Sequence, residues 1–128
     1  MVRKLNVLLI VLTLFMYCLN QITKENINNE ILSIFMCGYF NDIIGSITFM
    51  AYINIVLDLK QLNIHKLHHI IMVMLGCGFF WEVITPIFRK STVADFWDAV
   101  AYLCGGILYW LIMKIYKFIK KTKEYHYE

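Results

Sequence analysis

Four long apolar stretches alternate with short polar ones along this chain. They cover about residues 5–20, 39–57, 67–88 and 96–119. Each approaches the roughly 20 residues that a helix needs to cross a ~30 Å hydrocarbon core. Backbone polar groups cannot stay unpaired in lipid, so the stretches predict helices and not open strands. The pattern predicts an all-α membrane protein, a bundle of four transmembrane helices. Residues 1–128 then form a single transmembrane domain, with 120–128 as a basic tail. Asn20–Glu30 reads as a loop. Ile31–Gly38 reads as a short amphipathic piece on the membrane surface, broken at Gly38. The first stretch begins like a secretory signal, but no A-x-A site follows it, so a retained anchor helix is expected.

Composition narrows the classes. Hydrophobic residues make up 60% of the 128 positions and charged ones 16%, against roughly 45–50% and 25% in ordinary soluble domains. A soluble chain this short could not hide so much apolar surface. Soluble enzymes, nucleic-acid binders and disordered linkers are disfavoured, and the bilayer is the expected partner. The four cysteines (Cys18, Cys37, Cys77 and Cys104) form no C-x-x-C pair and read as small buried hydrophobes. His65, His68 and His69 read as a wet loop end, so neither a metal site nor a cofactor is expected.

Charge sets the expected orientation. With the N-terminus inside, Arg3, Lys4, Lys60, Lys66 and the C-terminal Lys114, Lys117, Lys120, Lys121 and Lys123 are all internal. Lys24, Arg89 and Lys90 are external. By the positive-inside rule both termini are cytoplasmic.

The candidate chemistry lies in ionisable residues that the spans carry at a cost. Asp42 stands sixteen residues before Asp58, Glu82 sixteen after Lys66, and Asp98 sixteen before Lys114. Sixteen helical residues rise about 24 Å, so the three acids are expected at one depth near the outer surface. Helical spacing gives each span one polar and small-residue stripe. These stripes are Thr13, Tyr17 and Asn20; Gly38, Asp42, Gly45, Phe49 and Tyr52; Gly78, Glu82, Thr85 and Arg89; and Asp95, Asp98, Tyr102, Gly105 and Tyr109. Asp95 follows Thr92 in capping-box spacing, so a structural role competes with a functional one there. Arg89 could neutralise Glu82 or Asp98. The expected ligand-binding set is Asp42, Glu82, Arg89, Asp95, Asp98 and Tyr102.

The segment WEVITPIFRKSTVADFWDAVAYLCGG, with Glu82, Pro86, Arg89, Asp95, Asp98, Gly105 and Gly106, resembles the VanZ-like family of small bacterial membrane proteins. The upstream Asn41-Asp42 fits the polar start of an earlier helix in that family. Thr85 stands where the family often has Gln, as in a divergent branch. The resemblance implies a multi-pass protein of the bacterial cytoplasmic (inner) membrane, acting at the envelope. The family is associated with tolerance of the glycopeptide teicoplanin.

Three functions are weighed. The first is a non-enzymatic protein that binds a polar headgroup or glycan-like ligand at the outer face, where carboxylates and Arg pair with hydroxyls and amines. The second is a small cation or proton carrier, for which a homo-oligomer is expected. The third is a membrane-embedded enzyme on lipid-linked substrates, for which the outer face offers no Ser/His pairing.

Overall fold

The computed structural model describes residues 2–80, 87 and 96–125. Helix α1 spans Val2–Thr23, and a short 3₁₀ turn, Lys24–Asn26, follows it. Helix α2 is Glu30–Cys37, α3 is Tyr39–Asp58, α4 is Leu67–Phe79 and α5 is Phe96–Tyr125. No strand occurs among the described residues. Three segments are long and apolar enough to cross a membrane: Val2–Thr23, Glu30–Asp58 and Phe96–Thr122. The stretch expected at 67–88 is described as helix for its first 13 residues, Leu67–Phe79; most of the remainder lies outside the described residues.

Local chemistry places the boundaries. The Asn29 side chain caps α2 by accepting from the Leu32 N–H at 3.2 Å, and Glu30 puts negative charge at that N-terminus. Gly38 ends α2, its N–H donating to the Ile34 carbonyl at 3.1 Å, and α3 starts at the next residue. The expected break at Gly38 is therefore present. Helix α3 ends in a Schellman turn: the Leu62 N–H donates to the Leu57 carbonyl and the Gln61 N–H to that of Asp58. Gln61 occupies the left-handed position of this turn, with φ 57°.

Side-chain pairings give the helix directions. Asn20 meets Asn41, Thr13 meets Thr48, and Asn6 reaches Asn54 through the Tyr109 hydroxyl. Residue numbers fall along α1 as they rise along α3, so the two helices are antiparallel. Helix α5 runs parallel to α3, with Gly105 beside Ile43 and Ser46 and Tyr109 beside Asn54. Helix α4 is antiparallel to α5, with Gly78 beside Ala99 and Gly106 beside Met74 and Ile70. The packed pairs are α1 with α3, α3 with α5, and α5 with α4. Gly105 allows the close approach, since a Cβ there would stand 2.5 Å from the Ile43 carbonyl oxygen.

The core holds Leu9, Ile47, Met50, Ala51, Ile70, Met74, Tyr109 and Met113. Three of the four buried residues of α1 are nevertheless polar: Asn6, Thr13 and Asn20. Its Leu8, Val11, Leu14, Phe15 and Ile22 all face outward. Polar inside and apolar outside reverses the pattern of a soluble helix. It suits a solvent that is itself hydrocarbon, in which interhelical hydrogen bonds and close packing hold helices together.

Two expected faces need correction. Tyr17 is 45% exposed and does not share the buried line of Thr13 and Asn20, whose third member is Asn6. The α3 stripe of Gly45, Phe49 and Tyr52 is exposed, while α3 buries Ile44, Ser46, Ile47, Met50, Ala51 and Asn54. The spacing was correct, but that face lines grooves and not a helix interface. Cys18, Cys37 and Cys104 are exposed, contrary to the expected burial, because their faces point away from neighbouring helices.

Candidate functional site

The site is assembled where α3 and α5 both begin. Because these helices are parallel, their first turns lie side by side, and each carries an acid there. The Tyr102 hydroxyl, one turn after Asp98 on α5, donates to the Asp42 carboxylate, and Asp98 lies within electrostatic range of the same group. Three of the six expected site residues, Asp42, Asp98 and Tyr102, are thus brought together. The other three, Glu82, Arg89 and Asp95, lie outside the described residues, as does the expected third member of the common depth.

Next to Asp42, Asn41 ties the site to α1. The Asn20 amide donates to the Asn41 Oδ1 at 2.9 Å and to the Met36 carbonyl at 2.7 Å. The Asn20 Oδ1 is buried without a hydrogen-bond partner among the described residues. Ser46 donates back to the Asp42 carbonyl at 2.7 Å, in the usual fashion of a helical Ser.

Asp42 opens onto a cleft of about 690 Å³ between α3 and α4, with α5 at its back. Its polar end is formed by Asn41, Asp42, Ser46 and Tyr102, and its walls by Phe49, Ile53, Val73, Met74, Cys77 and Phe80. A second groove of about 510 Å³ lies on the other side of the exposed α3 face, against α1. Ile10, Thr13, Leu14 and Tyr17 line it from α1, and Ile44, Thr48 and Tyr52 from α3. Asn41, Gly45 and Phe49 border both spaces and form a ridge between them. Chemically, the polar end offers carboxylate and amide oxygens to a donor, beside an apolar trough.

A second polar cluster, which sequence reasoning missed, sits at the opposite end of the bundle. The Tyr109 hydroxyl donates to Asn6 Oδ1 at 2.8 Å and accepts from Asn54 Nδ2 at 2.8 Å. Asn54 also binds both backbone groups of Ile64, accepting from its N–H at 2.6 Å and donating to its carbonyl at 3.1 Å. All three side chains are at most 2% exposed. The available signal was the seven-residue spacing of Asn6, Thr13 and Asn20, which returns a polar group to nearly the same helix face every two turns.

His65 bonds Asn63, and the His68 and His69 rings stand 4.1 Å apart in an exposed group. Among the described residues no three His, Cys, Asp or Glu side chains converge as a set of metal ligands. No protein-family model matches the chain, and no curated protein or solved structure does so either.

Proposed function

We propose that this chain is a VanZ-like integral protein of the bacterial cytoplasmic membrane that binds the polar headgroup of an amphiphile at the outer face. The observation that carries this reading is the cleft with Asp42 and Tyr102 at one end and hydrocarbon walls along its length. A polar molecule in water has no use for those walls, and a plain alkane none for the acids. A lipid-linked or lipid headgroup uses both.

The orientation follows from charge. Arg3, Lys4, Lys60, Lys66 and the lysines of late α5 gather at the end of the bundle opposite Asp42, and the positive-inside rule makes that end cytoplasmic. Four spans, with both termini inside, complete the reading. A carrier would need a polar inner half open to its cargo. Asn6, Tyr109 and Asn54 instead direct their hydrogen bonds at one another, which favours binding over conduction.

The test is lipid analysis of protein purified in mild detergent. Wild type is expected to carry a polar-headgroup lipid enriched over the bulk membrane, and the doubly neutral Asp42→Asn, Asp98→Asn variant to lose the enrichment. Bound lipid that mirrors the bulk membrane in both proteins would remove the proposal.

A further inference from the structure

We infer that the occupant is a two-chain lipid with an ammonium-bearing headgroup, seated astride α3 with one chain in each groove. This rests on the cleft reading above and adds the number of chains and the headgroup charge. The grooves begin at a common residue, Asn41, and run along opposite sides of the Gly45–Phe49 ridge. One reaches Ile53 and the other Tyr52 along α3. Eleven or twelve helical residues rise about 17–18 Å. That is close to one leaflet, half of a ~30 Å hydrocarbon core. Two apolar troughs of leaflet depth, joined at a polar end, match two acyl chains joined at one headgroup.

Gly45 makes the saddle low. A Cβ built there meets nothing within 4 Å, so the residue is not small in order to admit a neighbouring helix. Its contrast is Gly105, where a Cβ would collide with α3. At the joined end the Asp42 carboxylate lines the first groove beside Asn41, which both grooves share. A cationic group seated there is attracted to that carboxylate in a medium of low dielectric. An anionic headgroup would be repelled by it.

The experiment measures retention by the full chain in mild detergent, by native mass spectrometry, with three lipids. These are dioleoyl phosphatidylethanolamine, its single-chain lyso form, and dioleoyl phosphatidylglycerol. Wild type is expected to hold the first about tenfold more tightly than either of the others, about 1.4 kcal/mol. Gly45→Leu, which fills the saddle, is expected to lose about tenfold in affinity at an unchanged thermal midpoint. Equal retention of the lyso form overturns the two-groove seat and leaves the cleft reading standing. Equal retention of phosphatidylglycerol overturns the ammonium assignment. Retention of none of the three overturns both this inference and the cleft reading. The wild-type comparison needs no variant, so poor folding of Gly45→Leu does not shield the proposal.

Discussion

Single side chains in this protein differ in how much they can cost when removed. Tyr109→Phe deletes a hydroxyl that serves two buried amides at once, Asn6 and Asn54. Stranding buried polar groups costs about 1–3 kcal/mol in general, whereas interhelical hydrogen bonds in membranes average only about 0.6 kcal/mol. Two bonds are lost together here, and the expected destabilisation is about 1–2 kcal/mol, read from unfolding in mixed micelles. Thr48→Val removes the bond to Thr13, but Thr13 Oγ1 keeps backbone carbonyls at 2.8 and 3.0 Å. Its cost should stay below about 0.6 kcal/mol. Equal losses in the two variants would refute this ranking. Asp42, Asp98 and Tyr102 were legible in the sequence because an acid in an apolar helix is conspicuous and helical rise fixes its depth. Asn6 was not, because a lone amide near a helix end looks as if it reaches water. Only its distant partners, Tyr109 and Asn54, reveal that it is buried.

At the level of helices, close approach and termination can each be tested at one position. Gly105→Ala forces a Cβ against the Ile43 carbonyl and the Ser46 Cβ, and neither backbone nor packed neighbour can yield. Overpacking of this kind costs about 1–3 kcal/mol. Gly106→Ala meets Met74 Cγ at 2.6 Å and Ile70 Cγ2 at 3.2 Å, side-chain atoms and no backbone; it should be the milder variant by the same unfolding assay. Gln61→Gly should stabilise the chain by about 1 kcal/mol, since glycine adopts the left-handed conformation without a Cβ penalty. No gain would mean that the Schellman turn is not held in the folded protein. The helices themselves were readable from apolar length, though their ends were not. Helix α1 begins at Val2 and not at residue 5, and α5 continues to Tyr125 and not 119. Arg3, Lys4 and Lys120 looked like span limits, yet long basic side chains extend toward water while their backbones stay helical. Lys114 does this with its ammonium 4.8 Å from the Trp110 ring centroid.

For the molecule as a whole, Arg3, Lys4, Lys60, Lys66 and Lys114 stand at the end opposite the cleft that Asp42 lines, while Lys24 lies at the cleft end. A fluorescent protein fused after Glu128 should fluoresce, as cytoplasmic fusions do. Alkaline phosphatase inserted near Asn28 should be active, because the proposed orientation puts that turn outside. The reverse pair of results would invert the bundle and move the cleft to the inner leaflet. If the envelope reading holds, wild type expressed in a sensitive Gram-positive host should raise teicoplanin tolerance. Equally abundant Asp42→Asn or Asp98→Asn protein should not. The overall class was legible in the composition, because 60% hydrophobic and 16% charged residues lie far from the roughly 45–50% and 25% of ordinary soluble domains. The arrangement of grooves was not, because a stripe of small and polar residues looks the same whether it faces a helix or an open trough.

The polar line along α1 has a consequence for biogenesis. During synthesis α1 leaves the ribosome before the helix that satisfies it. Asn6, Thr13 and Asn20 would then face lipid with no interhelical partner until α3 arrives, since their bonds run to Tyr109, Thr48, Met36 and Asn41. At translation speeds of about 5–20 residues per second that interval lasts a few seconds. Asn41 and Thr48 become available soon after, but Asn6 must wait for Tyr109, in α5. Helix α1 therefore gains its last interhelical partner only when α5 is made. Any pause before α5 prolongs the period in which membrane quality control meets a helix with an unpaired amide.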